Sequence, residues 1–285
     1  MILLKGRYVR DSIIDSVKDY IDVGSDGIGI VLATDDKSAI VYANSQIKMF
    51  RKYGIIVDFF NPDPSVKETS ILNKIDEWNG NVNVHGIMIL APMYKHIDRT
   101  HIVDRINDIK DIEGIKKINL GKLMVGEDAP YPPTAMAAIE ILKFYNITIE
   151  GKNVVIAGRS VIVGKPLSML LLRYSKMGNA TVTICHSKTE NINEVIGKSD
   201  IFFSAIGKPG FFKASTLRNN AIYIDIGINV VKENGETKIV GDIFPDELEH
   251  LYAYTPVPGG VGTVTNAILL KNYVKSKRRA NIHCK

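Results

Sequence analysis

Cysteine is scarce in this 285-residue sequence, which contains only Cys185 and Cys284. Two cysteines cannot form the disulfide framework of a small secreted domain, so the composition favours a reducing, cytoplasmic setting. No apolar run approaches the roughly 20 residues that a transmembrane helix needs. The first ten residues also lack the apolar core of a secretory signal. We therefore expect a cytoplasmic protein that uses no membrane.

A strong excess of one charge is also missing, since 36 Lys and Arg face 31 Asp and Glu, which leaves a formal net charge of +5. The basic run from Lys275 to Arg279 is more typical of a solvated helix end than of a nucleic-acid site. The mild positive excess suits anionic ligands such as a nucleotide phosphate or a polyglutamate tail. The histidines lack metal-ligand spacing. We expect no nucleic-acid partner and no metal.

The sequence does contain short, continuous Val/Ile/Leu runs that alternate with helix-like stretches. Such runs are typical of strands buried in a mostly parallel sheet with helices on both faces. We predict strands at residues 27–33, 55–60, 86–91, 153–157, 180–185, 201–205, 221–226 and 252–257. We predict helices at residues 38–53, 66–78, 135–144, 166–174, 190–197 and from 263 onward. The Asn-Gly pair at 234–235 predicts a hairpin turn.

A loop-rich stretch, residues 111–133, divides this α/β pattern, and Thr134 is predicted to cap the helix that follows. The length fits two domains. We predict an N-terminal α/β domain (residues 1–130) and a doubly wound, Rossmann-type domain (residues 131–263). The last helix, residues 264–285, is expected to pack back on the N-terminal domain, and the active-site cleft is expected between the two domains.

The strongest local motif is VVIAGRSVIVGKP, residues 154–166. It follows a predicted strand and opens a predicted helix, a position where free N–H groups bind a pyrophosphate. The spacing departs from G-x-G-x-x-G, because Gly158 and Gly164 are six residues apart and Ser160 takes the place of the second glycine. By its glycines alone, the motif fits a plain tight turn equally well.

The charges near this motif indicate which dinucleotide binds. NAD-binding sheets usually carry Asp or Glu at the end of the second strand, whereas here that strand runs into His186-Ser187-Lys188. Arg159 in the first turn, together with these hydroxyl and basic groups, is what a 2′-phosphate requires. We therefore predict NADP rather than NAD; the alternative is that these are ordinary exposed loop residues.

A second glycine-rich turn, PGGVG, begins at Pro258. Its glycines suggest a close approach of the backbone to a ligand. A flexible loop that returns the chain to the first domain is the alternative, and both interpretations can hold.

Taken together, the motifs resemble those of the methylenetetrahydrofolate dehydrogenase/cyclohydrolase family along nearly the whole chain. In order they are HGIMI (85–89), KDIEG (110–114), PPTAMAAIEIL (132–142), GRSVIVGKP (158–166), TVTICHSKT (181–189), DIGIN (225–229), GDI (241–243) and TPVPGGVG (255–262). The resemblance implies oxidation of 5,10-methylene- to 5,10-methenyltetrahydrofolate with NADP, and hydrolysis to 10-formyltetrahydrofolate in bifunctional members. It also implies a homodimer, a folate substrate that can be polyglutamylated, and a role in one-carbon metabolism and purine biosynthesis.

Site residues follow from the same resemblance. The implied catalytic residues are Tyr42, Gln46 and Glu113. The implied substrate contacts are Tyr42, Leu90, Asp111, Glu113, Pro258 and Gly259. The implied cofactor contacts are Gly158, Arg159, Ser160, His186, Ser187, Ile228, Gly260 and Thr265, with Arg159, Ser160 and Ser187 at the 2′-phosphate.

Three positions depart from the family pattern, all on the folate side. Gln46 stands where the family's Tyr-x-x-x-Lys has its catalytic lysine, Leu90 replaces the glutamine of Gln-Leu-Pro, and Glu113 replaces the aspartate of Asp-Val-Asp-Gly. Hydride transfer needs no obligatory acid or base, whereas hydrolysis moves two protons. Glutamine cannot exchange protons near neutral pH, and Lys48 should face away from Gln46. A shifted register of the helix would bring Lys48 in, and a proton relay through Glu113 or Tyr42 is a further alternative. We therefore expect the dehydrogenase activity to persist and the cyclohydrolase activity to be weak or absent.

Two alternatives remain. The three departures are compatible with a folate- or NADP-binding protein whose catalysis has decayed, although the intact cofactor turn argues against it. Another two-domain NADP dehydrogenase, such as a shikimate-type enzyme, shares the general architecture but lacks support from TPVPGGVG and CHSKT. Formation of NADPH with methylenetetrahydrofolate, compared with binding without turnover, separates these possibilities.

Overall fold

The computed structural model describes residues 1–233, 236–244 and 248–283. The chain divides into two compact units. The six-stranded unit comprises Met1–Ser12 with Pro132–Ile268, and the three-stranded unit comprises Ile13–Tyr131 with Leu269–Lys285. The predicted boundary groups residues 1–130, whereas the contacts of the fold group the first twelve residues with the six-stranded unit. They join the other unit because strand β1 (Ile2–Leu3) pairs in parallel with strand β11 (Ala253–Tyr254).

The three-stranded unit contains a parallel sheet in the order β3-β2-β4. Its strands are β2 (Gly27–Val31), β3 (Ile56–Phe60) and β4 (Val84–Ile89). Its helices are α2 (Lys37–Lys52), α3 (Glu68–Gly80), α4 (Arg99–Arg105) and α5 (Lys117–Val125). Helix α1 (Gly6–Asp15) precedes them. Every residue of β2 and β4 is buried, which explains their continuous apolar sequences.

Trp78 shows how this unit is packed, since the side chain is 1% exposed and its Nε1 donates to Asp58 Oδ2 at 2.7 Å. A Cβ on Gly29 in β2 would lie 2.3 Å from the indole. The glycine therefore makes room for the ring, and Trp78 is a packing residue of this unit.

The six-stranded unit contains an all-parallel sheet in the order β1-β11-β8-β7-β5-β6. From β5 the chain adds β6 on one side of the sheet and then β7, β8 and β11 on the other side. This reversal in strand order confirms the predicted doubly wound arrangement. The further strands are β5 (Asn153–Ala157), β6 (Thr181–Cys185), β7 (Ile201–Ser204) and β8 (Ile222–Asp225). The helices are α6 (Pro133–Phe144), α7 (Gly164–Leu172) and α8 (Ile192–Gly197). Strands β9 (Asn229–Glu233) and β10 (Glu236–Val240) pair antiparallel as a hairpin should, although the predicted turn at 234–235 lies outside the described residues.

The last helix, α9 (Val261–His283), begins in the six-stranded unit. From Leu269 onward it belongs to the three-stranded unit, where Tyr273 joins the core with Phe50 of α2. In the described residues no helix is long and apolar enough to cross a bilayer.

Several predicted elements need correction. The stretch 111–133 is not entirely loop, because α5 forms within it and ends at Gly126 in the left-handed conformation. Thr134 is not the cap of α6, which begins one residue earlier after Pro132 and has no side-chain cap. The last predicted strand shortens to the two residues of β11, and β1, α1 and α4 were not predicted.

Candidate active site

The glycine turn after β5 is shaped by close backbone contacts. Gly158 has φ of 128° and donates its N–H to Cys185 O at 2.9 Å. A Cβ on it would lie 2.6 Å from Ala205 O, and one on Gly164 would lie 2.0 Å from Gly158 O. Both positions therefore require glycine. Ser160 takes part as well, because its Oγ accepts the Val163 N–H at 3.1 Å.

The turn after β6 lies beside this one because β5 and β6 pair in parallel with Ala157 opposite Cys185. Arg159 and Ser187 are both exposed, each two residues beyond this pair. The His186 N–H donates to Thr189 Oγ1 at 2.9 Å, and the Lys188 N–H lies 3.2 Å from His186 Nδ1.

These two turns fit a dinucleotide that carries a 2′-phosphate. The turn after β5 leads directly into α7. This nine-residue helix has no acidic side chain in its first turn that would repel a phosphate. Such a start offers free N–H groups and the positive end of the helix dipole to a pyrophosphate. Arg159 adds a forked cation that matches a phosphate, and no carboxylate stands at residues 186–188 to repel one. The predicted cofactor residues Gly158, Arg159, Ser160, His186 and Ser187 are thus brought to one edge of the sheet.

The second glycine turn is tightly packed rather than loose. Gly259 has φ of 106°, its carbonyl accepts the Gly6 N–H at 2.8 Å, and a Cβ on Gly6 would lie 2.2 Å from Gly260 O. The same turn lines a cavity of about 210 Å³ together with Ile228, which is 61% exposed. Pro258 also lines this cavity. The turn therefore serves both the packing of the unit and the wall of a pocket.

Thr265 lies one turn into α9, and its Oγ1 donates to Val261 O at 3.2 Å. The hydroxyl is thus used within the helix, and the contact of Thr265 with the cofactor stays a prediction.

In the three-stranded unit, Tyr42 and Gln46 lie one turn apart on α2. Gln46 belongs to the buried stripe of this helix with Ala43 and Ile47, and it is 0% exposed. Tyr42 is 41% exposed. Burial of its hydroxyl end and the negative charge of Glu113 raise the pKa of Tyr42, so the phenol stays protonated at neutral pH. Lys48 is exposed and therefore faces away from Gln46, as expected.

Glu113 lies at the carboxyl end of the same sheet. Its Oε2 accepts the N–H of Ile89, the last residue of β4, at 3.0 Å. Burial raises the pKa of Glu113 to about 7, although the positive charge of Arg99 and the Ile89 hydrogen bond oppose the shift. Arg99 at the start of α4 also donates to Ile89 O at 3.2 Å. Glu113 is thus a carboxyl group that can gain or lose a proton near neutral pH, beside a phenol and a guanidinium.

Asp111 is buried and hydrogen-bonded to its own loop. The side chain is 0% exposed, and its Oδ2 accepts the Lys116 N–H at 2.8 Å and Asn119 Nδ2 at 2.9 Å. Burial raises the pKa of this carboxyl. The carboxylate organises the start of α5 through these loop donors, and its contact with substrate stays a prediction. Leu90 follows β4 and is 2% exposed, so its contact with substrate stays a prediction.

Sequence reasoning missed two features. Arg99 falls in a helix that was not predicted, and no motif marks its approach to Glu113. Asp225 and Asp242 were visible in DIGIN and GDI, yet nothing local showed that the two carboxylates meet. No cluster of His, Cys, Asp and Glu suited to a metal ion occurs among the residues that the structure describes.

An all-parallel, doubly wound sheet with a glycine turn, a helix start and an exposed arginine at one edge defines a dinucleotide-binding α/β protein of the dehydrogenase type. The chain belongs to the tetrahydrofolate dehydrogenase/cyclohydrolase family. The family's catalytic domain matches residues 4–113, and its NAD(P)-binding domain matches residues 132–281. The resemblance stated from the motifs is confirmed.

Named relatives agree with this assignment. The bifunctional protein FolD of Clostridium perfringens (strain SM101) is 41% identical over 279 residues, which cover 96% of this chain and 98% of the relative. The bifunctional FolD structure from Campylobacter jejuni has a TM-score of 0.90 at 32% identity and covers 98% of this chain and 99% of that chain. The FolD structure from Trypanosoma brucei, complexed with NADP cofactor and inhibitor, has a TM-score of 0.90 at 27% identity and covers 99% and 98%. A shikimate-type enzyme is therefore not favoured.

Proposed function

We propose that this protein oxidises 5,10-methylenetetrahydrofolate to 5,10-methenyltetrahydrofolate with NADP. When bound, NADP supplies the nicotinamide ring that accepts the hydride. Membership of the family supports the reaction, and so does the T. brucei relative that is complexed with NADP. The observation that carries the cofactor assignment is the pairing of Ala157 with Cys185, which places Arg159 beside a turn that has no acid.

The residues of this chain bind and orient the two ligands. Arg159 and Ser187 hold the 2′-phosphate, and the start of α7 holds the pyrophosphate. Tyr42, protonated at neutral pH, stacks on or hydrogen-bonds the pterin. Neither task requires a proton transfer, and holding the reacting atoms in line can by itself supply a large part of the rate gain. The three departures on the folate side therefore leave the dehydrogenase reaction possible.

Arg159→Gln tests the cofactor assignment. Loss of a charge-assisted contact to phosphate should raise the KM for NADP by about ten- to a hundredfold, while the KM for NAD, which has no 2′-phosphate, should change little. The measurement is NADPH or NADH formation with methylenetetrahydrofolate. Lys198→Gln removes a surface cation whose side chain is 70% exposed in the same unit, and it serves as the control. Equal effects on both cofactors would contradict the assignment, and binding without turnover would favour the non-enzymatic alternative.

We infer that hydrolysis of the methenyl product is the weaker activity. Water must lose a proton as it attacks, and a ring nitrogen must gain one as it leaves. Gln46 cannot carry either proton. Glu113 is the group of this cluster that exchanges protons at neutral pH, so residual hydrolysis should depend on its carboxyl.

Gln46→Lys should increase hydrolysis, measured by stopped-flow loss of methenyl absorbance, by about 10²-fold, the gain typical of one positioned acid–base group. Gln46→Met replaces the same buried side chain with a neutral one of similar length and should give no increase. A fast enzymatic hydrolysis in the unmodified protein would show that our inference about Gln46 is wrong.

Three finer expectations stay predictions. We propose that the folate carries a polyglutamate tail, that the protein acts as a homodimer, and that it resides in the cytoplasm. Competition between mono- and polyglutamylated folates, light scattering of the purified protein, and cell fractionation test them in turn.

A further inference from the structure

Two buried carboxylates meet at the carboxyl ends of β7 and β8. Asp225 is the last residue of β8 and is 3% exposed, while Asp242 is 0% exposed. The Asp242 N–H donates to Asp225 Oδ2 at 2.9 Å. These residues are the acids of the DIGIN and GDI motifs, to which neither the motifs nor the proposed function gives a task.

Asp242 connects two turns that follow neighbouring strands. Its Oδ2 accepts from Ser204 Oγ at 2.6 Å and from the Ile206 N–H at 2.9 Å. Its Oδ1 accepts from the Lys208 N–H at 3.0 Å and from Asn229 Nδ2 at 3.0 Å. One carboxylate therefore fixes the turn after β7 and the turn after β8 at once.

Asp225 completes the arrangement. It accepts from Tyr223 Oη at 2.6 Å through Oδ2 and from the Gly227 N–H at 2.9 Å through Oδ1. All these donors, like those to Asp242, are uncharged hydroxyl, amide or backbone groups, so they solvate the negative charge without cancelling it. Burial and the neighbouring charge of Asp242 raise the pKa of Asp225 to about 6, which leaves it ionised above that pH.

The glycines of the two motifs, Gly227 and Gly241, lie in close contact with these carboxylates. A Cβ on Gly227 would lie 2.2 Å from Asp242 Oδ1, and a Cβ on Gly241 would lie 2.0 Å from Asp225 Oδ2. Each motif thus makes room with its glycine for the acid of the other. These close contacts leave the two carboxylates little room to move.

One member of the carboxylate pair, Asp225, borders the cavity of about 210 Å³ described above. Asp225 lines the cavity itself, together with Ile228 and Gly260, two of the residues assigned to the cofactor. The buried negative charge is therefore part of the wall of a cofactor pocket.

We propose that Asp225 and Asp242 are positioning residues that favour the oxidised dinucleotide, because together they fix the turns of this pocket and Asp225 places negative charge in its wall. The inference rests on the proposed function, with the nicotinamide end of NADP bound in this pocket. The oxidised nicotinamide ring is a cation and the reduced ring is neutral. A fixed charge in a poorly hydrated wall therefore stabilises one redox state of the ligand more than the other.

Calorimetric Kd values test this for NADP⁺, NADPH and 2′-phospho-ADP-ribose, which lacks the nicotinamide. Asp242→Asn and Asp225→Asn should each lower the preference for NADP⁺ over NADPH by about three- to tenfold, while affinity for 2′-phospho-ADP-ribose stays within about twofold. Tyr223→Phe removes one hydrogen bond to Asp225 without removing charge, so it should keep the preference. Asp200→Asn removes an acid just before β7, at the amino end of the same sheet, and is the second control.

Equal weakening of all three ligands in both Asp variants would overturn the proposal, because it would show a purely structural role. An unchanged preference would overturn it as well. If Asp242→Asn fails to fold, Asp225→Asn decides, since it leaves the donors to Asp242 in place. Should the unmodified protein bind neither NADP⁺ nor NADPH, the proposed function itself fails; intact binding with an unchanged preference removes only this inference.

Discussion

At the scale of single residues, the environment of a side chain decides its chemistry more than its type does. Two acids of one short segment illustrate this. Asp111 is fully enclosed by donors from its own loop and becomes a structural residue. Glu113, two residues later, reaches the end of β4 and keeps a titratable carboxyl. The sequence shows both acids, but it does not show which one faces the site.

Glu113→Gln should change how stability depends on pH. The folded carboxyl has a pKa of about 7 against a usual 4.5, so the folded state holds a proton that the unfolded state loses between these values. Stability from this group therefore falls as pH rises from about 4.5 to about 7 and is constant above. When the pH rises from 5 to 8, the free energy of unfolding of the variant should therefore increase by about 2–3 kcal/mol relative to that of the unmodified protein.

Urea unfolding at both pH values measures this difference. Glu127→Gln, at an exposed position of the same unit, should show no such gain. If Glu113→Gln behaves like that control, Glu113 does not titrate near neutral pH, and its role in hydrolysis has to be abandoned.

At the scale of elements, strands were easier to predict than helix ends. Continuous apolar runs identify β2, β4 and β5 because both faces of these strands are buried. Helix ends depend on distant groups. The carboxyl end of α3 is closed by Lys110, whose Nζ donates to the carbonyls of Trp78 at 2.8 Å and Asn81 at 2.8 Å from 29 or more residues away.

Lys110→Met should lower the free energy of unfolding by about 2–4 kcal/mol, since the buried carbonyls at the end of α3 lose a charged donor. Denaturant unfolding followed by circular dichroism gives the value. Lys117→Met breaks only an exposed ion pair with Asp104 and should cost less than about 1 kcal/mol. Similar losses in the two variants would mean that Lys110 does not cap the helix.

At the scale of the whole molecule, each unit has its own core. Phe202 and Tyr223 stack in the six-stranded unit, whereas Ile30 and Phe50 belong to the three-stranded unit. Separate cores allow a ligand to stabilise one unit more than the other, because opening free energies are local.

Hydrogen exchange should show this division. NADP⁺ at about 100 times its Kd should stabilise the amides around Gly158 and His186 by about 2.7 kcal/mol, while those of β2 and β4 exchange at their original rates. A folate analogue alone should protect the end of β4 instead. Uniform protection by either ligand would show that the two units open together.

The sequence by itself determined the parallel strands, the glycine turn and the expectation of NADP, because each depends on residues close together in the chain. Only the tertiary structure decided that Met1–Ser12 join the six-stranded unit, that Asp111 is structural, and that Asp225 meets Asp242. Strand pairing and buried polar contacts join residues far apart in the chain, and no local pattern records which donor will reach which acceptor.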